Sequence, residues 1–312
     1  MMDVTYAGSR GTRISTAQQL NATPAQYLST SPVRDQRTID FLTASFPNPF
    51  FRLAPTYSSN ISRANLLRPY PHFGDMSVNE PVGYSWYHSL QVRGEKRFAS
   101  GFSLQTAYTF SKFMQATEFL NPTDPTPYRV ISDVDRPHVF TFSGLWELPF
   151  GRGRRFGRSM PSVANALAGG WQLNGAIIRQ AGPPLAFGNI IFNGNLKDIP
   201  LPKSQRSVDR WFNIDAGFER NSARQLANNI RAFPLRLSGV RGDGQATWNF
   251  SLLKNMRIHE RLSAEFRVES YNTMNHPSFD VPNRTPTSSA FGAITNTTSE
   301  PRGFQFALKL KF

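Results

Sequence analysis

The carboxy-terminal segment of the chain alternates strictly between two kinds of side chain. Large apolar residues occupy positions 304, 306, 308, 310 and 312, and Gln305, Ala307, Lys309 and Lys311 lie between them. Successive side chains of a β-strand point to opposite faces, so this period of two predicts a strand with one apolar face and one face in water. Such a strand either packs its apolar face on the core of a soluble domain or turns that face to lipid in a transmembrane barrel.

The same alternation recurs in seven further segments and predicts an all-β chain. A composition of 26 Phe, 22 Gly and 23 Pro agrees with this, because aromatic residues favour strands while Gly and Pro favour turns. The short glycine-containing turn 99–101 predicts that its two flanking strands form a hairpin. The predicted strands are residues 3–10, 84–98, 102–112, 135–148, 171–179, 246–258, 262–272 and 304–312.

The connections between these strands differ sharply in length. Turns 99–101 and 259–261 have three residues each, whereas connections 11–83, 113–134, 182–245 and 276–301 are long and rich in Pro, Asn, Ser and Thr. Link 150–170 is the exception, because it is long where the pattern asks for a short turn. Soluble domains rarely hold connections longer than about 15 residues, whereas short turns at one rim and long loops at the other are typical of membrane barrels.

We therefore predict an antiparallel transmembrane β-barrel with long extracellular loops, located in the outer membrane. A soluble basic β-sandwich that acts as a binding module is the alternative, and an eight-stranded outer-membrane hydrolase is a third hypothesis. No stretch approaches 18 consecutive apolar residues, which excludes a transmembrane helix. The first residues carry neither a basic nor an apolar signal region, so we expect no secretory signal within this sequence.

The net charge of +14 arises from 35 Lys and Arg against 21 Asp and Glu, and it indicates an anionic partner. The arginines are scattered near strand ends, and no nucleic-acid-binding signature is present, so we predict no nucleic-acid partner. Scattered arginine fits the phosphate-rich lipids of an outer membrane better. Outer-membrane lipid and lipopolysaccharide are therefore the expected partners.

Two predicted strands have a charged face opposite an apolar one. Strand 262–272 presents Glu265, Arg267 and Glu269 in succession, a row that would cost several kcal/mol per ion in a dry core. This face must therefore meet water, and we expect Arg267 to bridge carboxylates across adjacent strands. The residues predicted to line a polar lumen are Gln91, Arg93, Glu95, Glu265, Arg267 and Glu269.

Neither a metal site nor a catalytic site is predicted. The five histidines lie in five different segments, and none has a histidine partner three or four residues away. His138, with Asp133, Asp135 and Ser143, supplies the ingredients of a hydrolase. These residues lie where a loop enters a strand, however, and we predict no enzyme and no cofactor.

Aromatic residues recur at the ends of the predicted strands. Amphipathic rings favour the headgroup level of a membrane, which predicts an interfacial girdle. Its members are Trp86, Trp146, Trp171, Trp248 and Phe312.

Eight segments in order along the chain carry a family resemblance. They are YAGSRGTR (6–13), LQVRGEKRF (90–98), YTFSK (108–112), SDVDRPHVF (132–140), ELPFGRGR (147–154), GGWQLNG (169–175), FRVESYNTMNHPSF (266–279) and the final strand. Together they resemble the carboxy-terminal barrel of TonB-dependent outer-membrane receptors. They resemble especially the group with a carboxypeptidase-regulatory-like domain at its front, which is abundant in Acidobacteria.

This resemblance implies a barrel of about 22 strands around a plug, which imports scarce bulky solutes with energy delivered by TonB. Residues 1–312 would then be a single carboxy-terminal barrel region of about eight strands, without plug or signal peptide. TonB would act only through the missing plug. The implied function is to form barrel wall and ligand-binding loops for a bulky solute, such as an oligosaccharide or another polymer fragment.

The final strand also resembles the signal by which the barrel-assembly machinery recognises its clients. The machinery is therefore an expected partner. The residues of this signal are Phe304, Phe306, Leu308, Leu310 and Phe312.

Overall fold

The structure, a computed structural model, describes residues 1–259 and 261–312. All eight predicted strands are present in it. They are β1 (Met2–Gln19), β2 (Ser77–Ala99), β3 (Phe102–Ala116), β4 (His138–Glu147), β5 (Trp171–Gln180), β6 (Gln245–Arg257), β7 (Ser263–Tyr271) and β8 (Gly303–Lys311).

The eight strands form one antiparallel sheet in which each strand pairs with its neighbours in the sequence. The all-β antiparallel prediction is therefore confirmed. The sheet is an open wall, because β1 and β8 lie at its two edges in the described chain. Sequential antiparallel pairing with turns at alternate ends is the connectivity of an up-and-down barrel.

The first two strands are longer than the alternation predicts. β1 was expected to end at residue 10 and β2 to begin at residue 84, but the pairing continues to Gln19 opposite Ser77. Register shifts occur on both sides of Ile14, and Arg13 has a φ of 55°. Such bulges break the period of two while the ladder of backbone hydrogen bonds continues, so the sequence pattern disappears before the strand does.

The connections divide between the two rims as predicted. Loops 20–76, 117–137, 181–244 and 272–302 all leave one rim. Connections 100–101 and 148–170, with residues 258–259 and 261–262, lie at the other. Ser100 and Gly101 both have positive φ, which is the backbone conformation that a tight two-residue hairpin turn requires. Glu260, in the predicted turn 259–261, lies outside the described residues.

The apolar side chains of the wall form continuous rows on one face of the sheet. Val4 lies opposite Val92, which lies opposite Tyr108, which in turn lies opposite Phe140. Tyr108 and Phe140 are 39% and 37% exposed, and Phe306 on β8 is 67% exposed. A β-sandwich would cover this face with a second sheet, but the two other sheets of the described chain have two strands each and lie in the long-loop region.

The buried apolar core lies within the long loops, not beneath the wall. Phe187, Phe212 and Phe218 pack in loop 181–244, with Phe187 and Phe212 in edge contact at a centroid distance of 5.0 Å. Phe291, from loop 272–302, packs against the same cluster at 5.0 Å from Phe218. The sequence prediction missed this core, because its aromatic residues follow neither a period of two nor the period of a helix.

Short elements complete the loops and the turn side. Among the described residues, no helix is long and apolar enough to cross a membrane. The helices are α1 (Gln36–Thr43), α2 (Arg63–Leu66) and α3 (Ser162–Ala168), with 3-10 turns at Ala25–Tyr27, Leu196–Asp198, Lys203–Gln205 and Ser222–Arg224. The short strands are Ser45–Pro47, Asn60–Ser62, Val130–Ile131, Pro184–Leu185 and Leu237–Arg241. Val130–Ile131 pairs with the end of β3 and is a ninth strand of the main sheet.

An ion pair ties two long loops together above the wall. The Asp135 side chain is 1% exposed, and its Oδ2 lies 2.6 Å from Arg241 Nη2. Asp135 Oδ1 accepts a hydrogen bond from the backbone N–H of Phe113, and Arg241 Nη1 donates to the carbonyl of Gly182 at 3.1 Å. The prediction that β4 begins at residue 135 was wrong, and the strand begins at His138. Asp135 belongs to the loop, because its side chain binds Arg241 and the backbone of Phe113.

Asp135→Asn should destabilise the loop layer by about 3 kcal/mol, because it leaves the Arg241 guanidinium, whose side chain is 19% exposed, without its counter-ion. Asp215→Asn is the matched control. It breaks the exposed pair with Arg210, whose Nη2 lies 2.9 Å from Asp215 Oδ2, and should cost less than about 1 kcal/mol. Urea unfolding of both variants in detergent micelles measures the difference, and equal losses of stability would contradict the assignment.

Lys254 interrupts the apolar face of β6 on the turn side of the sheet. It lies opposite Trp171 and Phe266, yet it is 4% exposed. Its Nζ donates to the carbonyls of Leu167 and Gly169 at the end of α3, and Trp171 Nε1 also donates to the Leu167 carbonyl at 2.8 Å. The end of α3 thus covers the one cation in this apolar row and satisfies its hydrogen bonds.

Lys254→Met should release α3 while leaving the wall intact. The substitution keeps an extended apolar stem and removes the donor to the helix carbonyls, so amide hydrogen exchange in Ser162–Ala168 should accelerate at least about tenfold. Lys309→Met, on the polar face of β8, is the control and should leave that exchange rate unchanged. Unchanged exchange in both variants would show that Lys254 does not hold the helix.

Candidate ligand site on the polar face of the sheet

The six residues predicted to line a lumen all lie on the polar face of the wall. They do not form a single site, because β2 and β7 are separated by four strands of the sheet. Each group makes its own ionic cluster, and their role in lining a lumen stays a prediction. Gln91, Arg93 and Glu95 lie on β2, and Glu265, Arg267 and Glu269 lie on β7.

On β7, Arg267 connects two carboxylates of its own strand. Its Nη2 lies 2.9 Å from Glu265 Oε1, and its Nη1 lies 3.7 Å from Glu269 Oε1. The cross-strand partner is Lys311 of β8, whose Nζ lies 2.8 Å from Glu265 Oε2. The expectation that Arg267 bridges carboxylates across strands was therefore wrong. The extended side chain reaches along its own strand to the residues two positions away, which lie on the same face.

On β2, Glu95 forms ion pairs with two arginines of its own strand. Arg93 Nη2 lies 3.0 Å from Glu95 Oε2, and Arg97 Nε lies 3.8 Å from Glu95 Oε1. Both arginines are more than half exposed. These charges therefore remain in contact with water, which agrees with a solvated polar face.

A cavity of about 540 Å³ opens where the polar face meets the long loops. The ends of β5, β6 and β7 form its floor through Gln180, Gln245, Thr247, Asn249 and Tyr271. Loop segments 181–183, 243–244, 278–281 and 298–301 form its walls. The site therefore lies at the long-loop entrance to the polar face.

The floor of this cavity is a row of hydrogen-bonded polar groups. Gln180 Nε2 donates to Gln245 Oε1 at 3.0 Å, and Gln245 Nε2 donates to Thr247 Oγ1 at 3.3 Å. Asn249 Oδ1 accepts from the backbone N–H of Asn272 at 2.9 Å, which fixes the end of β7. Gln245 and Tyr271 are exposed, so an amide and an aromatic ring are accessible from the cavity.

The walls add carboxylates and a buried hydroxyl. Asp243 accepts from the backbone N–H groups of Gly244 and Phe279, and Asp280 accepts from that of Val281. Ser278 is 4% exposed, and its Oγ has no hydrogen-bond partner among the described residues.

Arg136 lines the cavity from the connection before β4. Its Nη1 donates to the backbone carbonyls of Asp133 and Asp135, both at 3.0 Å. Burial, reinforced by the positive charge of Arg241, lowers the pKa of Arg136 from its ordinary value. The group stays a cation at neutral pH, because an arginine pKa begins far above 7.

The apolar face carries the other predicted residues. The side chains of the proposed assembly signal are between 49% and 96% exposed on the edge strand β8 and just beyond it. All four tryptophans of the predicted girdle lie on the apolar face, where Trp86 and Trp248 are near the long loops and Trp146 and Trp171 are near the short turns. Recognition by the assembly machinery stays a prediction.

The four residues considered for a hydrolase are not assembled. His138 Nδ1 pairs with Tyr108 on the apolar face, at 2.8 Å from the hydroxyl oxygen. Asp135 forms an ion pair with Arg241, and Ser143 lies on the polar face, opposite Gln105. Among the described residues, no three His, Asp or Glu side chains form a metal-binding group. That the chain is not an enzyme stays a prediction.

The sequence prediction missed the cavity itself. It placed Arg267 and Glu269 on the polar face, but it assigned no ligand contact to Gln245, Tyr271 or Ser278. Tyr271 and Ser278 lie within the segment 266–279 that carries part of the family resemblance, and that resemblance did not indicate a cavity. A signal that was available is the succession of Gln, Thr and Asn at three consecutive odd positions of β6, 245, 247 and 249. That pattern indicates a polar face but not a cavity.

Comparison with known proteins agrees with the geometry of the wall. The family described as the outer membrane beta barrel domain matches residues 1–305. No curated protein matches the chain. The match covers nearly the whole sequence, and the exposed apolar face is what contact with lipid requires. The chain therefore belongs to the outer membrane beta barrel domain family and lies in the outer membrane.

Proposed function

We propose that this chain forms wall and ligand-binding loops of a TonB-dependent outer-membrane receptor for a bulky, hydroxyl-rich solute. The observation that carries the proposal is the 540 Å³ cavity at the long-loop end of the polar face. In outer-membrane barrels the longer loops are extracellular, so a solute arriving from outside meets this cavity first.

The chemistry of the cavity favours a neutral, hydroxyl-rich ligand. Gln245 and Asn249 offer amides that both donate and accept, Asp243 and Asp280 accept, and Arg136 donates. A sugar hydroxyl can satisfy either kind of partner, and the exposed ring of Tyr271 offers a flat apolar surface for a sugar face. An oligosaccharide or similar polymer fragment is the proposed solute class.

The ionic cluster on β7 continues the polar surface below the cavity, and the cluster on β2 lies on the same face with four strands between them. Glu265 and Glu269 flank Arg267, and Glu95 lies between Arg93 and Arg97, so neither cluster presents a large charge of one sign. A neutral polar solute could pass such a surface without strong trapping. The dependence on TonB rests on the sequence resemblance alone.

Binding of linear glucose, xylose and mannose oligosaccharides to the full chain in detergent micelles tests the cavity. Gln245→Ala and Tyr271→Ala should each weaken the best-binding sugar about tenfold, because each removes a direct contact from the exposed floor. Calorimetric titration measures the affinities.

Two matched variants control for this test. Gln172→Ala removes an amide from the polar face at the opposite rim and should leave the affinity unchanged. Tyr271→Phe keeps the ring and should retain most of the binding. Failure of every sugar to bind, or equal weakening by Gln245→Ala and Gln172→Ala, would refute the cavity as the ligand site.

A further inference from the structure

A cluster of cations lies on the apolar, lipid-facing side of the wall, level with loop 117–137. Arg10 of β1 lies opposite Trp86 of β2, and Lys112 of β3 lies opposite His88. Arg129, from the loop before β4, places its guanidinium carbon 4.5 Å from the centre of the Trp86 ring. The three cations are exposed, and none forms an ion pair with any residue in the described ranges.

Arg10 and Arg129 line the same shallow cavity of about 680 Å³ on this outer surface. Tyr84 and Trp86 form its aromatic wall, with stacked rings whose centroids are 5.7 Å apart. Its lining, taken over the residues the structure describes, contains no carboxylate. Two guanidinium groups and no counter-ion around one cavity create a site of strongly positive potential.

The position of the cluster along the wall identifies its environment. Going toward the long loops, the paired positions change from Val4 with Val92, through Gly8 with His88, to Arg10 with Trp86. Val4 and Arg10 are six residues apart, which is about 20 Å along a strand. In a membrane barrel, such a change from apolar to aromatic and charged side chains occurs where the strand passes from the hydrocarbon layer to the lipid headgroups.

We propose that Arg10, Arg129 and the Trp86 ring form a binding site for a phosphate group of the outer-leaflet glycolipid, lipid A. Each guanidinium offers a planar fork of donors that matches phosphate oxygens. The Trp86 ring beneath Arg129 holds that guanidinium by a cation–π contact. Lys112 adds a third positive charge one cross-strand pair nearer the hydrocarbon.

The acyl chains have a matching surface below the phosphate. Tyr6, Leu90 and Phe110 occupy the next pair positions away from the long loops, and they are 67%, 45% and 50% exposed. A phosphorylated lipid is held by charge at the rim and by apolar contact along the wall. A soluble phosphate obtains only the first of these contributions, so the site favours a lipid over free phosphate.

Native mass spectrometry of the full chain in detergent micelles, titrated with diphosphorylated lipid A, tests this site. The wild-type chain should bind it at least about tenfold more tightly than dephosphorylated lipid A, because charge-assisted hydrogen bonds to phosphate are lost in the latter. This comparison needs no variant. Equal affinity for the two lipids overturns the proposal.

The double variant Arg10→Gln/Arg129→Gln should lose at least about tenfold in affinity for diphosphorylated lipid A. Arg155→Gln/Arg158→Gln is the matched control, with the same change in net charge at exposed arginines of the opposite rim. It should bind like wild type. Equal losses in the two double variants would indicate attraction to net charge alone and would overturn the site.

Two further arms distinguish the source of the phosphate. Phosphatidylglycerol and inorganic phosphate, each added as a competitor at the same molar excess, should displace lipid A poorly. Displacement by inorganic phosphate would show that the site binds any small anion and would overturn the lipid assignment. Displacement by phosphatidylglycerol would show that the site does not select the outer-leaflet glycolipid and would overturn the choice of lipid A. Heat-dependent electrophoretic mobility confirms that each variant is folded before its affinity is compared.

Discussion

The structure depends on backbone hydrogen bonds between sequential strands, because this is the arrangement that lets a sheet expose an apolar face to lipid. Every internal strand of the wall pairs on both sides, so its amides and carbonyls need no water. Side chains are then free to separate, with apolar groups on one face and polar groups on the other. The buried apolar core that a soluble domain would place beneath its sheet lies instead in the long loops, around Phe187 and Phe212.

Polar groups on the apolar face have protein partners or lie near a rim. The hydroxyl of Tyr6 pairs with His88, and the hydroxyl of Tyr108 pairs with His138. Lys254 donates to carbonyls at the end of α3. An unpaired polar group in hydrocarbon costs several kcal/mol, and these contacts remove that cost. Within the described ranges Arg10 has no such partner, and it lies level with loop 117–137, where the proposed phosphate headgroup would supply one.

The two faces therefore differ in the ligands that their chemistry suits. The polar face offers amides, hydroxyls and balanced ion pairs around an open cavity, which suits a neutral solute in water. The apolar face offers hydrocarbon contact and, at its long-loop end, unbalanced positive charge, which suits an anionic lipid. The net charge of +14 is not spread evenly over the surface. Part of the positive charge, carried by Arg10 and Arg129, is concentrated on the lipid-facing side.

Alternation along the sequence was sufficient to predict the eight strands, their order and the two classes of connection, because a strand records its two environments residue by residue. It placed Arg267 and Glu269 on the polar face for the same reason. It failed at the bulge near Ile14, where the ladder continues without the period. The cavity around Gln245 and the cluster of Arg10 with Arg129 were decided only by tertiary structure. Their residues come from segments far apart in the chain, and cross-strand register and loop packing, which leave no periodic trace in the sequence, bring them together.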